Sequence, residues 1–337
     1  MQILKGYDLK NLNTFGLEAK AAFFTEIKSE EELKELFTNP VFKENKKLLL
    51  GGGSNILLTK DWDGIVVLNK IKGIEIIEEA EDHMIIRAMS GEVWHDLVTF
   101  AVERELWGIE NLSLIPGSVG AAPMQNVGAY GAELKNTLLT VEAYEIDAGT
   151  KRIFQAGECQ FGYRDSIFKN SLKDQYFILA ITLRLSKKEK KNTSYKVLKE
   201  YLEKNNIEPK TSREISDAVS FIRRSKLPDP KMIGNAGSFF KNVFVDKEKL
   251  EELLRLYPEM PHFTENEATK IPTAWLIEQC GWKGKRVGSA GVHDRQALVL
   301  VNHGGATGEE IKKLAEEIIS SVYSKFGIKL ETEVNLV

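Results

Sequence analysis

The chain has 337 residues, 46 of them basic and 49 acidic, and a formal net charge of −3, so its length accommodates two or three domains with a substantial core. Interspersed charges of both signs provide no basic surface for nucleic acid and no cation cluster for a membrane. The N-terminus lacks the apolar stretch of a signal peptide, and Cys159 and Cys280 match no metal or redox spacing, so we expect a cytoplasmic protein without a metal site.

Strand and helix signals alternate at the start of the chain. Ala21–Phe24 has the composition of a strand, and Ser29 with Glu32 three residues later is a helix-capping pair. Two further strands are predicted around Leu48 and Val66.

Three consecutive glycines follow the strand around Leu48, and a polar pair follows the glycines. Glycine allows positive φ and close approach to a bulky group, and the N–H groups can form a concavity that binds an anion. The cluster is neither a Walker A loop nor a G-x-G-x-x-G turn. By itself it fits either a hairpin turn or a phosphate site; its residues are Gly51, Gly52, Gly53, Ser54 and Asn55.

The next part of the chain is richer in strand signals and contains one helix. The apolar patterns predict a helix near Val93–Glu103. They predict strands at Ile74–Ile77, Met84–Ala88, Val141–Ile146 and Tyr176–Leu185.

The segment from Leu112 to Ala132, LSLIPGSVGAAPMQNVGAYGA, contains no Asp, Glu, Lys or Arg. Its two prolines and four glycines exclude a membrane span, a helix and a long strand. We therefore predict buried irregular backbone, whose polar groups need partners that a large, partly polar cofactor would supply. Considered with the glycine cluster, this charge-free loop favours a phosphate or pyrophosphate site.

Arg164 and Asp165 stand between aromatic and apolar residues in Phe161–Phe168. A guanidinium in such surroundings can bind a carboxylate in a bidentate manner. An Arg–Asp pair can equally form a surface turn, and the segment leaves both interpretations open.

A charge run begins at Lys187 and predicts a solvated insertion or linker to about residue 210. Thr211 and Glu214 form a capping-box pair for a helix that ends near Lys226. A last α/β portion follows, with helices predicted near Lys247–Tyr257, Thr273–Gln279 and Glu309–Phe326.

Two C-terminal segments contain candidate acids. Ser238 stands in GNAGSFFKN, which lacks the G-x-S-x-G pattern of a nucleophile elbow, so it is either part of a tight turn or a proton donor that needs a relay partner. Ile328–Leu336 alternates strictly and predicts a strand with Glu331 and Glu333 on its polar face. Alternation does not choose between these two carboxyl groups.

Five motifs, in this order along the chain, resemble those of the UDP-N-acetylenolpyruvoylglucosamine reductase (MurB) family. The first is shared with other flavoproteins of the same FAD-binding fold, and the other four are specific. The motifs are GGGSN at 51–55, SLIPGSVGAAPMQNVGAYG at 113–131, GYRDSIFK at 162–169, KLPDPKMIGNAGSFFKN at 226–242 and LETEV at 330–334.

The resemblance implies a fold of mixed α+β and α/β class. A two-part FAD-binding region of the vanillyl-alcohol-oxidase (PCMH) type would precede a C-terminal α/β substrate-binding domain. The implied domains are residues 1–70 and 71–215 for FAD, with the insertion at about 187–210, and 216–337 for the substrate. The final strand, 328–336, would return to the active site.

The resemblance also implies a reaction. NADPH passes hydride to N5 of FAD and leaves, and the enolpyruvyl ether of UDP-N-acetylglucosamine then accepts hydride at C3 and a proton at C2, which yields UDP-N-acetylmuramate for peptidoglycan. By motif, Ser238 is the proton donor, Arg164 steadies the carboxylate and enolate, and Glu333 is the assisting acid, whereas Glu331 matches a non-catalytic position. Negative charge that develops at C2 explains why a fixed cation is needed.

Contacts carry over from the same motifs. The expected partner is the nucleotide-sugar substrate alone, and the expected state is a monomer. FAD contacts are expected from Gly51, Gly52, Gly53, Ser54, Asn55, Pro116, Gly117, Ser118, Gly120, Asn126, Gly128 and Tyr130. Substrate contacts are expected from Gln125, Lys226, Asn242, Lys283, Gln296 and Tyr195, which matches the tyrosine that covers the uridine diphosphate in the type I subtype; for the lysines, solvent-facing charge is the alternative.

The chain departs from the family pattern at Val243, Thr332 and Asn335, where Pro, Pro and Arg are usual. None of these positions is catalytic, and a ligand contact from Asn335 is in doubt. Two other functions fit parts of the sequence: an FAD-dependent oxidase of the same fold acting on an alcohol or sugar, and a nucleotide-sugar binding module without catalysis. A serine hydrolase at Ser238 lacks a suitably placed histidine.

Overall fold

The structure is a computed structural model that describes residues 1–265 and 268–337. The chain forms two compact units. The first unit contains Met1–Tyr7, Ala21–Gly52 and Trp62–Ser225, and the second contains Asp8–Lys20, Gly53–Asp61 and Lys226–Val337. Two short N-terminal segments therefore belong with the C-terminal part of the chain. The long C-terminal segment of the second unit begins at Lys226. The predicted domain boundaries near residues 70 and 215 stay predictions.

The first sheet of the first unit is mainly parallel. Its long strands are continuous apolar runs, as expected for parallel strands with both faces covered. Ser29 caps the first helix by accepting a hydrogen bond from Glu32 N at 3.2 Å, which confirms the predicted cap. The strands lie in the order Leu4–Asp8, Lys20–Ile27, Trp62–Asn69 and Lys47–Leu50, with helices Glu30–Thr38 and Pro40–Glu44 between them in sequence.

The second sheet of this unit is antiparallel. One face packs against helix Trp94–Val102, whose buried side chains join the largest apolar cluster of the unit. The four strands and the helix predicted for this region are confirmed, and the hairpin partner Lys151–Gln155 is an addition. The strand order is Lys151–Gln155, Leu138–Glu145, Tyr176–Ser186, His83–Met89 and Ile74–Glu79.

The insertion is more ordered than its composition predicts. Helix Lys196–Lys204 forms within it, and Leu198 and Leu202 pack against helix Ser212–Lys226. The predicted solvated charge run, residues 187–192, precedes this helix and is largely exposed. The lysine-rich segment contains one apolar pair at helical spacing, Leu198 and Leu202. This pair is buried because helix Ser212–Lys226 packs against it.

In its described residues the second unit contains two antiparallel sheets, one short parallel strand pair and three α-helices. One sheet has the strand order Gly234–Ser238, Val299–Asn302, Ala290–Val292 and Arg286–Val287, and helix Gly308–Phe326 packs against it. The other has the order Val243–Val245, Ala268–Ile271 and Phe263–Glu265. Helices Lys247–Leu256 and Thr273–Gln279 complete the unit, so all three predicted helices are confirmed.

The predicted C-terminal strand is wrong in extent. Only Asn335–Leu336 forms a strand, and it pairs in parallel with Ile56–Leu57. Alternation correctly predicts that Ile328, Leu330 and Val334 are buried. The preceding residues bond to a different neighbour, the turn after Ser238, through Lys241 N to Glu331 O at 3.0 Å and Glu333 N to Phe239 O at 2.8 Å. The segment changes partner midway, so no single pairing is long enough for the predicted strand.

The described ranges, 1–265 and 268–337, contain no helix that is both long and apolar enough to cross a bilayer. Within the same ranges, no group of three or more His, Cys, Asp or Glu side chains is arranged to hold a metal ion.

Candidate active site

The charge-free loop is fixed largely by its own unit. Gly117 O accepts a hydrogen bond from Trp94 N at 3.0 Å, and Gly120 N donates to Ser90 O at 2.9 Å. Trp94 Nε1 donates to Leu112 O at 2.9 Å where the loop begins. Neighbouring backbone therefore satisfies much of this loop, and the contacts of a cofactor with the rest of it stay a prediction.

The two glycine-containing loops of the first unit approach backbone to backbone. A Cβ on Gly51 would overlap Ser118 Oγ, and one on Gly52 would lie 2.9 Å from the Cα of Gly117. Real Cβ atoms do not come this close to backbone, so position 52 requires glycine, whereas a Cβ at position 51 meets the Ser118 side chain. The glycines of this cluster serve loop packing directly, besides any role toward a ligand.

A cavity of about 460 Å³ opens where these loops meet. Apolar side chains from strand Lys47–Leu50 and from Phe177 and Ile178 form its walls, and Gly51, Ser118 and Gly120 form its rim. Trp62 lines this cavity, and its buried Nε1 has no hydrogen-bond partner among the described residues. Apolar walls, glycine and serine residues at the rim and an unsatisfied buried donor in a lining residue fit a large ligand with rings and phosphates, such as FAD.

Asn126 does not face this cavity. Its buried side chain donates to Glu133 Oε2 and to Gly162 O, both at 3.1 Å, and accepts from Lys135 N at 3.1 Å. Both ends of the amide are thus engaged inside the protein. These bonds hold the loop against the segment that contains Arg164, and a contact between Asn126 and FAD stays a prediction.

Arg164 lies in a turn and is half-buried. The turn agrees with one interpretation of its segment, and the partial burial of Arg164 agrees with the other. Gly162 N donates to Asp165 O at 3.1 Å across the turn. Arg164 Nη2 donates to Gly128 O at 2.7 Å, and a Cβ on Gly128 would lie 3.0 Å from Arg164 Nη1. Gly128, predicted as an FAD contact, is therefore a close neighbour of the guanidinium.

The backbone of Arg164 has φ +53°. A non-glycine residue in this region costs about 1–3 kcal/mol and is found where surrounding structure imposes it, often at functional sites. The turn and the bond to Gly128 impose it here, and they fix the direction of the guanidinium.

Tyr195 meets the charge-free loop at Tyr130, with ring centroids 5.5 Å apart in an edge arrangement. Asn111 Nδ2 donates to Tyr130 O and to Asn192 O, both at 2.8 Å, and Asn192 Nδ2 donates to Gly131 O at 2.9 Å. The structure thus places a predicted substrate contact against a predicted FAD contact. The asparagine pair attaches the insertion to the loop.

Ser238 and Glu333 lie on adjacent backbone segments of the second unit. Ser238 ends its strand after a register shift at Gly237, which has φ +71°, so it stands at a bulge rather than in a tight turn. Glu333 N donates to the carbonyl of the next residue, Phe239. Glu333 is half-buried, whereas the Glu331 side chain is 73% exposed and pairs with Lys241 at 2.9 Å. The structure therefore distinguishes the two carboxyl groups that alternation leaves equivalent.

The second half of the glycine cluster is attached to the Glu333 segment. Asn55 Nδ2 donates to Glu333 O at 3.3 Å, and Asn55 O accepts from Asn335 N at 3.1 Å and from Asn335 Nδ2 at 3.0 Å. Asn335, where the family usually has Arg, thereby helps to fix Asn55 and the backbone beside the candidate acid.

The other predicted substrate contacts are divided between the units. Gln125 and Tyr195 belong to the first, and Lys226, Asn242, Lys283 and Gln296 to the second. Asn242 Oδ1 accepts from Thr273 N at 3.2 Å, and Lys283 pairs with Glu278 at 2.9 Å. Their contacts with substrate stay predictions. The sequence did not indicate that Arg223, in helix Ser212–Lys226, is partly buried. The local pattern around it is the same for a buried arginine and a solvated one.

Comparison with known proteins gives consistent matches along the chain. A sequence profile for an FAD-binding domain matches residues 21–152, and one for the C-terminal domain of UDP-N-acetylenolpyruvoylglucosamine reductase matches residues 229–337. The UDP-N-acetylenolpyruvoylglucosamine reductase of Flavobacterium johnsoniae is 49% identical over 339 residues, which cover 100% of both chains.

Two solved structures share the fold. The crystal structure of the Thermus caldophilus UDP-N-acetylenolpyruvylglucosamine reductase has a TM-score of 0.68 at 22% identity, covering 99% of this chain and 98% of that one. The 6-hydroxy-D-nicotine oxidase of Arthrobacter nicotinovorans has a TM-score of 0.52 at 12% identity, covering 97% and 86%. The predicted fold class, an FAD-binding region of this oxidase type followed by an α/β domain, is confirmed.

Proposed function

Because this chain belongs to the UDP-N-acetylenolpyruvoylglucosamine reductase family, we propose that it uses NADPH and bound FAD to reduce the enolpyruvyl ether of UDP-N-acetylglucosamine to UDP-N-acetylmuramate, a peptidoglycan precursor. The observation that carries this proposal is 49% identity over the full length of both chains. An oxidase shares only the fold, at 12% identity. The family match favours the reductase over the predicted oxidase alternative.

The cavity of the first unit fits FAD, which supplies hydride transfer when it is bound. Gly51 and Ser118 would face its phosphates, and the strand Lys47–Leu50 would pack against an apolar ring. The close approach of the two loops keeps this rim in place without ligand, so little backbone ordering is required on binding.

Arg164 is proposed to bind the substrate carboxylate. Reduction at C3 leaves negative charge that spreads from C2 onto this group, and a permanently charged guanidinium stabilises it most when its orientation is already fixed. The bond to Gly128 O at 2.7 Å and the constrained turn provide that orientation.

Ser238 is proposed to deliver the proton to C2, with Glu333 assisting. A serine hydroxyl is a weak acid and needs a partner that replaces its proton. The backbone bond from Glu333 to Phe239 keeps the carboxyl-bearing segment beside the strand end that carries Ser238. This pairing supports the assignment of Glu333 rather than Glu331. The proposed setting is a cytoplasmic monomer whose partner is the nucleotide-sugar substrate.

The two half-reactions test this function. Purified holoenzyme should show a flavin spectrum that NADPH bleaches without oxygen, and UDP-N-acetylglucosamine enolpyruvate should restore it with formation of UDP-N-acetylmuramate. Restoration by oxygen alone at the same rate would favour an oxidase. A protein that neither contains nor takes up FAD would refute the proposal.

A further inference from the structure

Asn235 lies in the strand that ends at Ser238, and its buried amide is bonded at both ends within the second unit. Asn235 Oδ1 accepts a hydrogen bond from Gly237 N at 3.0 Å. Asn235 Nδ2 donates to Ile233 O at 2.9 Å and to Pro228 O at 3.2 Å. One side chain therefore fixes backbone groups that precede it and a backbone group that follows it.

The bond to Gly237 lies at the bulge that precedes Ser238. Asn235 pairs with Val301 of the neighbouring strand and Ser238 pairs with Val299, so three steps along one strand match two along the other. Gly237, within this bulge, has φ +71°, a conformation that glycine adopts readily. A bulge disrupts the ladder locally, and here the Asn235 oxygen provides the acceptor for Gly237 N.

The bulge decides which face of the sheet Ser238 occupies. Side chains alternate between the two faces, so residues three apart lie on opposite faces of a regular strand. The partners Val301 and Val299 are two residues apart and share a face, so the bulge places Asn235 and Ser238 on one face. Loss of the bulge would move Ser238 to the opposite face.

Other contacts fix the strand on both sides of the bulge. Asn235 N donates to Thr14 O at 3.1 Å before it, and Phe239 N donates to Leu298 O at 2.7 Å after it. These bonds do not involve the Asn235 amide. Removal of the amide should therefore act on the short segment between them rather than on the whole sheet.

We propose that Asn235 is a positioning residue for Ser238, because its amide maintains the bulge that sets where the serine hydroxyl lies. The proposal rests on the proposed function, in which Ser238 gives its proton to C2 of the substrate. Proton transfer requires a donor within hydrogen-bond distance, so a small displacement of the hydroxyl slows this step. Reduction of the flavin by NADPH does not use this proton and should be independent of Asn235.

Two variants of the holoenzyme test this role. Asn235→Ala removes all three side-chain bonds, whereas Asn235→Ser keeps a hydroxyl that can accept from the N–H two residues on, more weakly than an amide does. We expect flavin reoxidation by UDP-N-acetylglucosamine enolpyruvate to slow by about 10- to 100-fold in Asn235→Ala, and by less in Asn235→Ser. Flavin reduction by NADPH should not change, and anaerobic stopped-flow absorbance measures both steps.

Asn302→Ala is the matched control. Asn302 is also buried, and it lies on the neighbouring strand opposite Gly234, at the other end of the strand pair from the bulge. Its amide donates to Phe15 O and accepts from Gly304 N, both at 2.9 Å. We expect a lower Tm, as in Asn235→Ala, but wild-type rates in both half-reactions. Equally slow reoxidation in the two variants would overturn the proposal, because any weakening of the sheet would then be sufficient.

A double variant shows whether Asn235 acts through Ser238. In the Ser238→Ala background, Asn235→Ala should slow reoxidation no further, because the effects of residues that act as a unit do not add. A second loss as large as the first would overturn the proposal.

A crystal structure of Asn235→Ala provides a readout without turnover. The backbone at Gly237 should change while the pairing of Gly234 with Asn302 is retained. An unchanged bulge would overturn the proposal. Failure of both Asn235→Ala and Asn235→Ser to fold would also overturn it, because the fold itself would then need the amide.

The same measurements keep this proposal separate from the proposed function. If the wild type uses the nucleotide sugar and Asn235→Ala does so at the same rate, the function stands and the role of Asn235 is refuted. If the flavin of the wild type is not reoxidised by the nucleotide sugar, the proposed function fails, and the role of Asn235 in proton transfer fails with it.

Discussion

Two stretches of irregular backbone position candidate catalytic groups, and they are fixed differently. The charge-free loop of the first unit bonds to Arg164, and the C-terminal segment of the second unit contains Glu333. The loop depends on steric fit in addition to its hydrogen bonds with Ser90 and Trp94, because Gly52 and Gly117 meet backbone to backbone and Gly128 lies close to the Arg164 guanidinium. The C-terminal segment depends on amide hydrogen bonds, since Asn55 and Asn335 connect it to the glycine cluster. An added side-chain atom at these glycines should therefore destabilise the loop, whereas removal of the asparagine amides should destabilise the C-terminal segment.

The largest effect on turnover is expected at Ser238, because the C-terminal segment bonds to the residue that follows it. Ser238→Ala should slow reoxidation of reduced flavin by substrate by about 10²–10⁴-fold, the usual contribution of a general acid, and leave reduction by NADPH unchanged. Anaerobic stopped-flow absorbance measures both steps. Ser324→Ala, an exposed serine of the same unit, is the control. Equal loss in both steps would instead indicate that Ser238 is structural.

Gly52→Ala tests the steric side of the comparison. The new Cβ would lie 2.9 Å from the Cα of Gly117, so the loops must separate at a cost of about 1–3 kcal/mol, and FAD should be retained poorly. Gly157→Ala is the matched control, because a Cβ there meets nothing within 4 Å. Chemical denaturation and the ratio of flavin to protein absorbance give the two readouts. Equal behaviour of the two variants would show that the loops tolerate bulk.

Asn335→Ala tests the polar side. It removes the 3.0 Å bond to Asn55 O, and a single hydrogen bond of this kind contributes about 0.5–1.5 kcal/mol. We expect a loss of unfolding free energy within that range and slower reoxidation by substrate, because the Glu333 backbone is less well fixed. Lys329→Ala, exposed on the same segment, should change neither. If reoxidation keeps its wild-type rate, Asn335 does not position the acid.

The smallest effect is expected for Glu142, on the antiparallel sheet of the first unit. It lies outside both regions, so its substitution should change stability at acidic pH and not the half-reactions. The Arg87 guanidinium, with Nη2 donating at 2.9 Å, lowers the pKa of this carboxyl against the opposing effect of burial, and Lys151 adds to the lowering. A depressed carboxyl pKa stabilises the fold above its unfolded value of about 4.3, and this contribution is lost as pH falls through the folded value.

Glu142→Gln should therefore unfold with a weaker dependence on pH than the wild type in that acidic window. The free energy of unfolding measured between pH 3 and 6 checks this, and the half-reactions should not change. Identical pH profiles for variant and wild type would show that the ion pair contributes nothing to acid stability.

Local pattern was sufficient for most helices and strands. The Ser29 cap, the strand around Val66 and helix Gly308–Phe326 all follow from signals a few residues long, since period and capping are local properties. Motif resemblance identified Arg164, Ser238 and Glu333 as candidates. It also assigned Asn126 to FAD without showing that both ends of this amide are bonded within the protein, because a motif does not say which atoms a side chain already uses.

The sequence by itself therefore determined the order of elements, the family and the location of the uncharged backbone. The tertiary structure alone decided that Asp8–Lys20 and Gly53–Asp61 join the C-terminal unit and that the last segment changes partner. These features depend on contacts between residues far apart in the chain. Burial and electrostatic neighbourhood are properties of such contacts, and they exist only once the chain has folded.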